Sequence, residues 1–148
     1  MKMKIWFDMD GTIADLYGVR GWLPMVEASD TTPYEMAKPL VNMARLARYL
    51  NRLQKMGHEI GIISWTSKGG TDIYNGQVAL AKMVWLYKHL PSVTWDNIKI
   101  VGYGVNKQVV CGSGILFDDE QKNREAWGKG AYMPERIFEV LKKISENA

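Results

Sequence analysis

The chain has 148 residues, enough for one domain with a substantial core, and its 19 Lys and Arg against 16 Asp and Glu leave a formal charge of only +3. That balance, without clustered basic blocks, argues against a dedicated nucleic-acid binder, and the single cysteine, Cys111, excludes an internal disulfide. No secretion signal is visible, because only three apolar residues follow Lys4 before Asp8, and no uncharged apolar segment approaches the roughly 20 residues of a membrane helix. A soluble, intracellular, cytoplasmic protein without a membrane partner is expected.

In chain order, Ile5-Trp6-Phe7 reads as a buried strand that stops at Asp8-Met9-Asp10-Gly11-Thr12. Two carboxylates two residues apart at a strand end converge on one point, and they repel unless a cation lies between them. The peptide also has a plain reading as an Asx-type turn. Residues 16–37, with Gly18, Gly21, Pro24 and Pro33, read as a loop with at most a short helix. Leu40, Met43, Leu46, Ala47, Leu50, Leu53 and Met56, interleaved with Arg45, Arg48, Asn51 and Lys55, predict an amphipathic helix terminated by Gly57.

Residues 59–63 form a second expected strand, stopping at Ser64-Trp65-Thr66-Ser67. The Gly69-Gly70 loop leads to a helix expected from about Gln77 to Leu90, ended by Pro91. Residues 98–101 and 114–117 predict two more strands, the latter ending at Asp118-Asp119. A short strand near Ala131-Tyr132 precedes a helix opened by Pro134. Alternation of this kind implies an α/β fold, a Rossmann-like three-layer sandwich with a mostly parallel five-stranded sheet. Ligands of such sheets bind beyond the carboxyl ends of the strands, where Asp8, Ser64 and Asp118-Asp119 fall.

Four separated stretches then resemble, in order, the motifs of the haloacid-dehalogenase-like (HAD) phosphatases across nearly the whole chain. Asp8-Met9-Asp10-Gly11-Thr12 matches the first, Ile62-Ile63-Ser64 the second, Lys107 the single lysine of the third, and Ile115-Leu116-Phe117-Asp118-Asp119 the fourth, with Asn123 at a further polar position. The resemblance implies that Asp8 is the nucleophile, forming an aspartyl-phosphate, and that Asp10 is the general acid and base. It implies Mg²⁺ held by Asp8, the Asp10 carbonyl and one motif-four carboxylate, with Asp119 preferred and Asp118 in support. Gly11, Thr12, Ser64, Trp65 and Lys107 are the implied phosphate-binding residues, Lys107 also balancing charge on Asp8. Each has a plainer alternative: Asp118-Asp119 as a helix cap, Ser64 as a turn residue with Thr66 in its place, and Lys82 in place of Lys107. Lys82 stands on the second long helix, where a solvated lysine is the default.

Intervals on both sides of Ser64 are too short for a large cap domain, so the expected organisation is a single catalytic domain, residues 1–148, with a minimal cap: residues 16–37 as a small cap-like insert. Tyr17, Arg20, Trp22 and Tyr34 in that insert are candidates to contact substrate by stacking, or else to pack the insert onto the body. Trp85 on the second long helix and Trp127 after Asp118-Asp119 resemble the 5'-nucleotidase branch, especially the 5'(3')-deoxyribonucleotidases. The expected activity is a Mg²⁺-dependent phosphomonoesterase with a small phosphorylated substrate such as a nucleoside monophosphate. The alternatives are a phosphatase of nucleic-acid 3' or 5' ends and a catalytically silent phosphate-binding module.

Overall fold

The computed structural model describes residues 2–147. Five parallel strands, β1 (Lys4–Phe7), β4 (Glu59–Trp65), β5 (Asn97–Val101), β6 (Ile115–Phe117) and β7 (Ala131–Tyr132), lie in the spatial order β5-β4-β1-β6-β7. The sheet is fully parallel because each strand returns through a helical crossover. β1 sits at its centre, and its apolar run serves both faces: Ile5 and Phe7 enter one core, Trp6 the other. This is the Rossmann-like α/β fold that the alternation predicts.

One face is covered by α3 (Met43–Lys55), α4 (Asp72–His89) and α7 (Ile137–Glu146), which contribute Leu46, Leu50 and Leu53, Trp85 and Leu86, and Ile137, Val140 and Leu141. The other is covered by α5 (Lys107–Cys111) and α6 (Gln121–Trp127), with Cys111 and Trp127 packed on Trp6, Ile63 and Leu116. Trp6 decides the residue beside it. A Cβ at Gly61 would stand 2.6 Å from its ring, so β4 carries glycine where β1 carries indole.

Three elements depart from expectation. Helix α3 begins only at Met43, after the Asn42 cap, so Leu40 stands outside it and is exposed. Helix α4 begins five residues before Gln77, because the Thr71 hydroxyl accepts from the Tyr74 amide and Asp72 occupies the first turn; that cap outweighs Gly76. Residues 16–37 are also more regular than a loop. β2 (Ala14–Asp15) pairs antiparallel with β3 (Lys38–Pro39), and α1 (Trp22–Glu27) and α2 (Thr32–Met36) lie between them. Leu16 and Tyr34 anchor this insert on Tyr74, Val78 and Ala81 of α4. No helix among the described residues is long and apolar enough to cross a membrane.

Candidate active site

The chain moves outward from β1 through β4 to β5, then crosses back to β6, so the strand order reverses between β1 and β6. At that reversal the Asp8 amide donates to the Phe117 carbonyl at 2.9 Å, tying the first aspartate to the strand that delivers Asp118 and Asp119. Chain direction at Gly11 (φ 79°) brings Asp119 close: a Cβ there would lie 2.3 Å from Asp119 Oδ2. Only glycine suits both the dihedral and the space.

Each oxygen of Asp8 has its own donor. Lys107 Nζ donates to Oδ1 at 2.9 Å and Thr12 Oγ1 to Oδ2 at 3.0 Å. Lys107, at the first turn of α5 after the Asn106 cap, also donates to Asp118 Oδ2 at 2.7 Å. Burial alone would lower the lysine's pKa, but the Asp8 and Asp118 carboxylates outweigh it and hold the ammonium above its ordinary range. Asp118 is fully buried and saturated, since Glu120 N reaches Oδ1 while Asn123 Nδ2 and Lys107 share Oδ2.

Among the described residues, Asp8, Asp118 and Asp119 offer carboxylate oxygens within 4.8 Å of one another. Burial and then the Asp8 charge push Asp118 up to about 6 and Asp119 up to about 8. Both shifts measure crowding of negative charge in a low-dielectric site, which a divalent cation on hard oxygens would relieve, so the donor set fits Mg²⁺. Asp119 lines the cavity, while Asp118 is spent on its neighbours.

Asp10 is the more exposed of the first two aspartates, with a side chain 19% accessible. Its Oδ2 accepts from Lys82 Nζ at 2.8 Å. The same ammonium donates to Ser64 Oγ at 2.7 Å and to the Trp65 carbonyl at 2.6 Å, so all three of its protons are used. Burial, offset by Lys82 and reinforced by Asp8, holds the Asp10 carboxyl above the usual range. Lys82 is 1% exposed, so the expectation of a solvated lysine fails. Two buried lysines rather than one partner the aspartates, Lys107 beside Asp8 and Lys82 beside Asp10. A lysine among the inward-facing Val78, Ala81 and Trp85 of α4 is the sequence signal that could have found it.

A cavity of about 340 Å³ opens above Asp8, Asp10 and Asp119. Tyr17, Trp22, Leu23, Val26 and Glu27 of the insert line it together with Trp65, Thr66, Ser67, Lys68, Tyr103 and Lys107. Tyr17 and Trp22 meet edge to face with centroids 5.0 Å apart, and Trp65 and Tyr103 form a second aromatic pair at 4.9 Å. Tyr34 divides its role, lining the cavity while anchoring the insert.

Several expected phosphate contacts have other tasks here. Ser64 is fully buried and engaged by Lys82, leaving Thr66 and Ser67 on the cavity wall. Thr12 is also fully buried and points at Asp8, and the Gly11 amide donates to the Ala14 carbonyl at 2.8 Å. Arg20 is exposed and does not line the cavity.

Neither a scan against protein families nor a search of curated proteins finds a match to this sequence. Among solved structures, the D,D-heptose 1,7-bisphosphate phosphatase from Burkholderia thailandensis is similar, with a TM-score of 0.51 and 14% identity over 85% of this chain and 72% of that one. At that identity the likeness is one of fold. It does not single out the nucleotidase branch.

Proposed function

We propose that this chain is a Mg²⁺-dependent phosphomonoesterase working through an aspartyl-phosphate on Asp8. The observation that carries the reading is the pairing of two aspartates of opposite character at one cavity. Asp8 has both oxygens held by donors, as a nucleophile needs for orientation. Asp10 has a raised pKa and access to the cavity, as a proton donor needs.

In the first half-reaction an Asp8 oxygen attacks phosphorus while the bond to the leaving oxygen breaks, and Asp10 delivers its proton to that oxygen. In the second, Asp10 takes a proton from water as the water attacks phosphorus. The bond from phosphorus to Asp8 breaks, releasing phosphate and regenerating the carboxylate. Lys107 steadies the Asp8 carboxylate and balances charge on the phosphoryl group, and Lys82 holds Asp10 in place. Mg²⁺, held by Asp8 and Asp119 with Asp118 behind them, would supply positive charge to the phosphoryl oxygens.

The cavity walls support a substrate with a flat, weakly polar body. A sugar bisphosphate, as in the name of the similar structure, demands many hydrogen-bonding partners for its hydroxyls. Here the insert contributes Leu16, Tyr17, Trp22, Leu23 and Val26 with Glu27 as its one charged residue, and two aromatic pairs stand among the lining residues. Nucleoside monophosphates, whose bases stack on such rings, match this wall best. The test is turnover of nucleoside monophosphates, sugar phosphates and an aryl phosphate, with Mg²⁺ and with chelator, by the parent and Asp8→Asn. Nucleotides should lead, chelation should abolish turnover, and Asp8→Asn should lower it by about 10³-fold or more on every substrate. Activity that survives Asp8→Asn would refute the mechanism; a preference for sugar phosphates would refute the substrate.

A further inference from the structure

Helix α4 carries a feature that neither the core nor the active site uses. Ile73 (79% exposed), Leu80 (63%), Val84 (55%) and Tyr87 (62%) are spaced by seven, four and three residues, which sets them in one stripe on its outer face. Gly76 lies in the same stripe, four residues before Leu80. A Cβ at Gly76 would meet nothing within 4 Å, so no contact inside the protomer calls for glycine there, although glycine weakens a helix interior relative to alanine. An apolar stripe with an unexplained gap in it is a surface shaped for close approach by another element.

We propose that a second copy of this chain covers the stripe, with the two α4 helices antiparallel about a two-fold axis near Leu80. Three observations favour that occupant. Ile73 lies seven residues before Leu80 and Tyr87 seven after it, while Gly76 lies four before and Val84 four after. An antiparallel copy therefore sets Ile73 near the partner's Tyr87 and brings the partner's Val84 to the space left open at Gly76, the self-complementarity that a two-fold interface requires. The helix ends are also complementary. Its first turn carries Asp72 and its last turn carries Lys88 and His89, so the antiparallel arrangement places acidic ends beside basic ends and opposes the helix dipoles, whereas a parallel one stacks like on like.

The experiment is sedimentation velocity on the full chain from about 1 to about 100 μM, a range in which a standard interface becomes populated. The parent should move from monomer to dimer. Leu80→Glu should remain monomeric throughout, with an unchanged circular dichroism spectrum, because Leu80 is exposed in the protomer. Gly76→Gln, filling space that is empty in the protomer, should weaken association by about 10-fold or more. Leu80→Cys should form an oxidised dimer through position 80, because residues on the axis meet their own copies. A parent that stays monomeric over the range, or a dimer indifferent to both Leu80→Glu and Gly76→Gln, would overturn the proposal. Efficient self-cross-linking of Ile73→Cys would overturn the antiparallel arrangement.

Discussion

Helices α3 and α4 cover the same face of the sheet, and both open on a side-chain cap, Asn42 and Thr71 respectively, yet they distribute charge and apolar surface differently. Helix α3 buries Leu46, Leu50 and Leu53 without exposure and turns Arg45, Arg48, Arg52 and Lys55 to water. Helix α4 buries a lysine, Lys82, and exposes Ile73, Leu80, Val84 and Tyr87. The difference lies in what each helix faces. Helix α3 packs on the apolar body of the sheet, where a charge would be stranded. The inner face of α4 runs past the carboxyl end of β4, where Asp10, Ser64 and the Trp65 carbonyl give an ammonium three acceptors.

The contrast can be broken most sharply at Lys82. Lys82→Met should leave Asp10 without its positioning partner and lower kcat/KM for alkyl phosphates, whose leaving oxygen needs a proton, by about 10²-fold or more. Aryl phosphates, with better leaving groups, should lose much less. Equal losses on the two substrate types would reduce Lys82 to a packing role.

On α3 the corresponding change is one of stability. Leu50→Ala should cost about 2–5 kcal/mol in urea unfolding, through lost burial and the cavity left behind. A cost below about 1 kcal/mol would mean that the Leu46, Leu50 and Leu53 face is less tightly packed than its burial indicates. The smallest effect belongs to the outer face of α3: Arg48→Gln should alter unfolding by no more than about 0.5 kcal/mol. A larger loss would show that this arginine does more than solvate the helix.

Much of the fold was legible because it rests on patterns a few residues long. The apolar run before Asp8, the three- and four-residue spacing of α3 and the proline opening the last helical segment all correspond to observed elements. The start of α4 differs because the Gly69-Gly70 loop reads as running on to about Gln77, whereas the Thr71 cap and packing against the insert begin the helix earlier. In the site, Asp8, Asp10, Asp118 and Asp119, expected at strand ends, come together with Lys107, expected from the motif resemblance. Lys82 was read as solvated because its three acceptors come from β4 and from the loop after β1, separated from it by 17 to 72 residues.

The amino-acid order by itself determined which strands build the main sheet, that these are parallel, and which carboxylates stand at their ends, because hydrophobic period and strand termination are local properties of the chain. Only the tertiary structure decided how the charges are partnered: Lys107 with Asp8 and Asp118, Lys82 with Asp10 and Ser64, Thr12 bonded to Asp8 and Arg20 left outside the cavity lining. Partnering depends on desolvation and on the acceptors that other segments bring within about 3 Å of a buried ammonium, and those distances arise only once the strands have assembled.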